Sequence, residues 1–170
     1  MGDKVSSADN QQERLKTIGW VLGFVDGEGC FCVSINRNKE AKIGWQVVPE
    51  FVVTQGQKSL ISLQELEKFF SCGRIFVNKR YDNHKENLYR FCVRSLSDLR
   101  EKVIPFFKKN PLRTAKEEDF KKFSQVVELM DGQHLTQKGV EQIARIAQTM
   151  NRKKPARFLE SSETTRQTPI

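Results

Sequence analysis

The stretch LGFVDGEG, residues 22–29, most constrains what this chain can fold into. With Gly19 it sets glycines at 19, 23 and 27, and it interleaves two acids, Asp26 and Glu28, at its end. Leu15, Ile18, Leu22 and Val25 recur at helical spacing, so a helix is expected from Arg14 to Asp26, ended by Gly27 and Gly29. Each interior glycine costs a helix about 1 kcal/mol relative to alanine. An acid at a helix C-terminus opposes the dipole by about 0.3–1 kcal/mol. Something must offset these losses. Glycines at i, i+4 and i+8 leave a smooth groove along one helix face, which a second helix can approach closely. The sequence holds no second copy of this helix, so a symmetric homodimer is the expected source of the partner. Such pairing brings two Glu28 carboxylates together, which is unfavourable unless a cation bridges them.

Chain length, 170 residues, suits one domain with tails: a flexible lead at 1–12, a domain at 13–154 and a disordered tail at 155–170. No apolar run approaches the ~18 residues of a membrane span, so a soluble chain with no membrane partner is expected. Lys+Arg 29 against Asp+Glu 21 gives a net charge of +8, which suggests a polyanion such as nucleic acid as partner. Charge alone leaves open a merely basic soluble protein. The cysteines are Cys30, Cys32, Cys72 and Cys92. Cys30 and Cys32 are expected on opposite faces of a strand, forming neither a metal pair nor a disulfide, in a reducing intracellular setting.

Past the first helix, periodicity switches between 2 and 3.6. CFCVSINRN (30–38) sets Phe31, Val33 and Ile35 on one face and Cys32, Ser34, Asn36 and Asn38 on the other. WQVVPEFVVTQ (45–55) sets Trp45, Val47, Phe51 and Val53 inward, leaving Gln46, Val48, Glu50 and Val52 outward. Pro49 there argues for an edge or a bulge. LISLQELEKFF (60–70) is helical. GRIFVNKRY (73–81) and NLYRFCVRS (87–95) read as a hairpin, with Arg74, Phe76, Asn78 and Arg80 on one face. Arg90 and Arg94 share a face on the second strand, and a one-residue shift would flip it. Helical patterns return over 97–107, 115–130 and 136–150. The order α, ββ, α, ββ, α, α, α predicts an α+β domain, a four-stranded antiparallel sheet with helices on one face. The other face, bearing Arg, Asn and Gln, can lie in a major groove, or it can be an ordinary wet sheet face.

Asp26 and Glu28 at the helix exit, Gln55 at the far end of strand two, and Lys108, Lys109, Arg113 and Lys116 after the hairpin form a candidate constellation. An acid beside Mg²⁺, an amide to orient water and a cation to meet developing charge suit phosphodiester hydrolysis. Taken singly, Gln55 is also a plain strand-end residue and the lysines a solvated turn. Gly27-x-Gly29 precedes a strand, so it is no dinucleotide fingerprint.

VLGFVDGEG (21–29) resembles the LAGLIDADG motif of homing endonucleases and intron maturases. VVTQ (52–55), RFCVRSLSDL (90–99), NPLRTAKEEDF (110–120) and HLTQKGVEQIARIAQTMN (134–151) resemble later landmarks of that family, in order, so the likeness spans residues 14–154. A single motif resembles the homodimeric branch. The resemblance implies an αββαββα-type fold whose motif helices pair through Gly19, Leu22, Gly23 and Asp26 and whose sheets form a DNA saddle. It implies Glu28 as metal ligand and catalytic carboxylate, Gln55 in the water network, and Lys116 as the catalytic basic residue, with Arg113 as the alternative register. Asp26 would be mainly structural, and glutamate at 28 stands where the motif more often has aspartate.

DNA contacts would come from Cys32, Ser34, Asn36, Asn38, Gln46, Val48, Glu50, Val52, Arg74, Phe76, Asn78, Arg80 and Arg90, with Arg37 and Lys39 reaching from the first hairpin loop. The implied activity is a site-specific double-strand break in DNA using Mg²⁺, with Mn²⁺ tolerated. Alternatives are a maturase binding its intron RNA and a DNA-binding regulator that does not cut. The implied setting is intracellular: a chloroplast or mitochondrion for an organellar intron, or otherwise the bacterial cytoplasm.

Overall fold

In the computed structural model, which describes residues 7–78 and 87–151, a long helix α1 (Ser7–Glu28) runs directly into strand β1 (Gly29–Arg37). Gly29 permits that junction: a Cβ there would lie 2.6 Å from Val25 Cγ1 and 2.7 Å from the Val25 carbonyl oxygen. After β1 come β2 (Trp45–Gly56), α2 (Leu60–Phe70), β3 (Arg74–Asn78) and β4 (Leu88–Val93). A short helix α3 (Leu96–Asp98), a π turn (Leu99–Val103) and α4 (Ile104–Lys109) follow as one continuous helical run. Helices α5 (Lys116–Leu129) and α6 (Gln137–Ala147) complete the order.

The four strands form one antiparallel sheet in the order β1-β2-β4-β3. Alternation decides what each face does. Phe31, Phe51, Val53, Phe91 and Val93 point to one side, where they meet Val21 and Val25 of α1, Leu63, Leu66 and Phe70 of α2, and Phe107, Phe120 and Phe123 of the later helices. The rings interlock, with Phe31 stacked on Phe51 at 5.1 Å and edge-on to Phe107 at 5.4 Å. A second cluster joins Trp45 and Val47 to Val126, Val140 and Ile143, seating α5 and α6 on the far half of the first hairpin. Helices therefore cover one face of the sheet, leaving the other outward, as the α+β expectation requires.

Four details differ from expectation or refine it. Residues 7–12 are helical rather than a loose lead. SADNQQ carries no apolar stripe, so periodicity is blind to it. Only the C-terminal turns of α1 meet the sheet, through Val21 and Val25, and Leu15 is left 62% exposed. Pro49 makes no bulge, because β1–β2 pairing runs unbroken from Gly29↔Val53 to Arg37↔Trp45. Pairing with β4 begins only at Phe51, so Pro49 lies where β2 has one neighbour and its missing N–H breaks no second ladder. Finally, Cys30 and Cys32 share a face rather than straddling the strand, because residues two apart in a strand point the same way. All four cysteines are free.

Candidate active site and nucleic-acid interface

The last turn of α1 separates two acids that look equivalent in the sequence. Asp26 is tied down: its Oδ2 accepts from the Arg113 backbone N–H at 2.8 Å, and its Oδ1 accepts from the Thr114 N–H at 3.2 Å and hydroxyl at 2.8 Å. Lys116, opening α5, donates its ammonium to the carbonyls of Asp26 and Gly27, each at 2.7 Å. Those carbonyls end the helix, carry its partial negative charge and have no partner within it, so a cation is favoured there. Glu28 is exposed, and nothing among the described residues bonds its carboxylate.

The Asp26 bonds set its protonation. Partial burial pushes its carboxyl up, but the Arg113 N–H, the Thr114 hydroxyl and N–H and the Lys116 charge outweigh it and hold the group below its usual 3.8. A depressed folded-state value contributes stability above the unfolded value, and that contribution is lost as the pH falls through the folded one. Asp26→Asn turns an amide NH₂ toward backbone N–H donors and is expected to lower stability at neutral pH by about 1–3 kcal/mol. Urea melts of both chains should show the gap narrowing below the ordinary value of 3.8, and a gap constant with pH would show that Asp26 makes no such bonds.

Gln55 and the basic residues sort themselves by register. Gly29, next to Glu28, pairs with Val53, two residues short of Gln55, which is half-buried opposite Tyr89. Gln55 shares the parity of Phe51 and Val53, the side on which α1 ends. Arg113 supplies its backbone N–H, and the basic side chain at the α1 terminus is that of Lys116. Lys108 instead reaches Glu128 at 3.4 Å. Cys30 joins this corner: a hydrogen bond with Cys32 draws its thiol down to about 7 and pushes that of Cys32 up.

The outward sheet face also follows from register. Cys32 pairs with Glu50, Ser34 with Val48 and Asn36 with Gln46. Val52 and Arg74 both pair with Cys92, and Thr54 and Phe76 both pair with Arg90. Arg90 therefore belongs on the same face as Arg74, Phe76 and Cys92, which fixes the register that the sequence left movable. Asn78 continues that row along β3, while Arg80 lies outside the described residues.

Three expected DNA contacts sit differently. Arg37 ends β1 rather than lying in the loop, so it takes the inward parity, with its guanidinium 4.1 Å from the Trp45 ring centroid. Asn38 is a turn residue, whose Oδ1 accepts from the Glu40 N–H at 3.0 Å and whose amide donates to Gln46 at 3.4 Å. Glu50 faces outward yet is 6% exposed, because Arg90, at 2.7 Å, and Arg94 close over it.

The sequence reading also missed Asn151, whose amide donates to the Phe31 carbonyl at 2.8 Å and satisfies part of the free β1 edge. No pattern around Asn151 signals a contact so distant in the chain.

Comparison with known proteins bears on the family and the fold. Residues 21–127 match a family profile described as LAGLIDADG endonuclease. A Neurospora crassa protein described as probable intron-encoded endonuclease 3 is 34% identical over 140 residues, which is 81% of this chain and 25% of that protein. The chain thus spans about a quarter of the length of this relative and of a second Neurospora crassa one, probable intron-encoded endonuclease 2. The crystal structure of I-TnaI, a homing endonuclease, superposes with TM-score 0.75 at 42% identity, covering 86% of this chain and 96% of that one. The I-SmaMI LAGLIDADG homing endonuclease, bound to cleaved DNA, superposes with TM-score 0.75 at 33% identity, covering 88% of this chain and 48% of that one. No helix among the described residues is long and apolar enough to cross a membrane.

Proposed function

Because this chain belongs to the LAGLIDADG endonuclease family, we propose that it acts as a homodimeric, divalent-metal-dependent endonuclease that breaks both strands of DNA at a long pseudo-palindromic site. One observation carries the reading: among the described residues, a Glu28 with no bonding partner stands beside a tied Asp26 and an anchored Lys116, at the end of a helix whose glycines face no neighbour. Among the described residues, a Cβ built on Gly19, Gly23 or Gly27 meets nothing within 4 Å. Packing among the described residues therefore gives no return on about 1 kcal/mol of helix propensity at each glycine. A two-fold partner packed on the same face supplies it, with Leu22 and Asp26 flanking the contact, and sets the two Glu28 carboxylates side by side.

That pair suits a hard cation. Among the described residues no three ligating side chains gather within one chain. Mg²⁺ commonly takes one or two carboxylates and completes its shell with phosphate oxygens and water, so one Glu28 from each chain matches its habits, with Mn²⁺ as a close substitute. When bound, such an ion activates water and offsets charge on the scissile phosphate. The chain's own groups do the placing. Glu28 presents its carboxylate toward the DNA, and the Gln55 amide orients water. Lys116 holds its ammonium with two of three N–H donors on α1 carbonyls, leaving one for a phosphate oxygen.

The outward sheet face, in a chain of net charge +8, supplies DNA affinity that falls steeply with salt. The two-fold axis predicts paired half-sites. The intron-encoded relatives favour a compartment with an intron-bearing genome, organellar or bacterial, as the working place.

Selection of binding sites from random duplexes, followed by incubation with Mg²⁺ or Mn²⁺ and then with EDTA, tests the reading. Double-strand cleavage that EDTA stops is the expected result. A chain that binds intron RNA but never cuts its selected duplex in either metal overturns it.

A further inference from the structure

Glu50 is an anomaly on the outward face. A carboxylate there repels DNA, and burying it is strongly unfavourable unless its charge is answered at close range. Two arginines answer it. Arg90 donates from Nη2 to Oε2 at 2.7 Å, and Arg94 donates from Nε to Oε1. The Cys32 thiol adds weak bonds to the Glu50 carbonyl at 3.6 Å and to Oε2 at 3.9 Å. Side-chain exposure is 27% for Arg90 and 52% for Arg94 against 8% for Glu50, so the carboxylate lies beneath and the guanidinium groups above.

Arg94 is held a second time, with its guanidinium carbon 5.7 Å from the Phe76 ring centroid. Phe76 is itself exposed, so its ring serves no core. Each guanidinium has five N–H donors in a fixed plane. Arg94 is bound to Glu50 through Nε, which leaves its two terminal amino groups unused by that carboxylate, with the Cys92 thiol as a further hydrogen-bonding neighbour. Arg90 is held through one terminal nitrogen, which leaves the opposite edge. Those edges are the ones that bind guanine through two acceptors at once.

A surface that needed only positive charge would bind phosphate better without Glu50, which cancels one of the two cations. Retaining it is sensible where orientation matters more than charge, since side chains ordered beforehand need no ordering on binding. We propose that Glu50 is a positioning residue for DNA readout: it touches no base, and it locks Arg90 and Arg94 into one rigid pair of forks aimed outward from the sheet. The inference rests on the endonuclease reading above and adds how the chain would choose its site.

Site selection and competition titrations on wild type, Arg90→Lys, Arg94→Lys, Glu50→Gln and Phe76→Leu test it. The two lysine variants mark which base pairs each arginine reads. Glu50→Gln should flatten preference at both sets, losing about tenfold discrimination, while affinity for unrelated duplex holds or rises with the added positive charge. Phe76→Leu should flatten the Arg94 set alone. A purely structural Glu50 would lower specific and unrelated binding together, and that result overturns the assignment, as does an unchanged preference in a Glu50→Gln chain that melts near wild type. If Glu50→Gln does not fold, Phe76→Leu decides, and an unchanged Arg94 set overturns the assignment. If wild type enriches no sequence, the endonuclease reading fails and takes this one with it.

Discussion

Gly23→Leu is expected to give a chain that folds, stays monomeric and cuts no DNA. Among the described residues a Cβ at position 23 meets nothing within 4 Å, so leucine is expected to find room there. It also improves helix propensity by roughly 0.8 kcal/mol, so the monomer should melt at or slightly above wild type. Across a two-fold axis the same change counts twice. Two leucines now stand where two backbones must nearly touch, and helices separated by full side chains sit about 8–10 Å apart. Separation on that scale parts the two Glu28 carboxylates and leaves each half-site bound by an isolated subunit. Light scattering after gel filtration, thermal melting and plasmid cleavage read the three consequences separately. A dimeric, active Gly23→Leu protein would show that the glycine face is not the subunit contact. A strongly destabilised one would show that this face packs within the chain.

Much of the architecture was legible because two periods carry it. Alternation separated Phe31, Phe51 and Phe91 from the outward residues, and helical spacing placed 60–70 within the bounds that α2 occupies. The misses share one physical cause. Local pattern says which way a side chain starts, and long-range partners decide where it ends. Outward was not the same as exposed for Glu50, because Arg90 and Arg94 arrive from another strand. Arg37 and Asn38 differ from expectation by a single residue of strand end, which replaces a loop arginine with an inward one over Trp45. Cys30 and Cys32 needed only consistent use of the two-residue period.

Division of labour between Asp26 and Glu28 was the hardest element to read from residues alone. The partners of Asp26 lie 87 and 88 positions away, and no local signal marks them. Family resemblance implies these roles, and the hydrogen bonds support the proposal. A carboxylate that accepts three bonds from a loop is committed to the fold. Its neighbour two positions on, with no such bond among the described residues, is the one proposed for chemistry. The same logic gives Lys116 two proposed duties, fastening α5 to the end of α1 and offering its remaining donor to a phosphate oxygen.

Those duties make Glu28→Gln the sharpest separation of folding from chemistry. The Glu28 carboxylate bonds nothing among the described residues, so glutamine in its place should leave the melting temperature unchanged. Removing one negative charge per subunit from a DNA-facing edge should leave affinity unchanged or tighten it, more visibly at low salt. Cleavage should fall on the order of a thousandfold or more, since a neutral amide is a poor ligand for a hard cation and the bridging charge is lost from both strands' sites together. Asp26→Asn makes the opposite profile the control, with lower stability and a smaller loss of cutting per folded molecule. Binding, melting and single-turnover cleavage on the selected duplex place each variant on these axes. If Glu28→Gln still cuts near the wild-type rate, the chemistry belongs to another acid, and Asp26 becomes the next residue to test. If it unfolds instead, the carboxylate has a structural partner in the assembled dimer, and the division between the two acids must be redrawn.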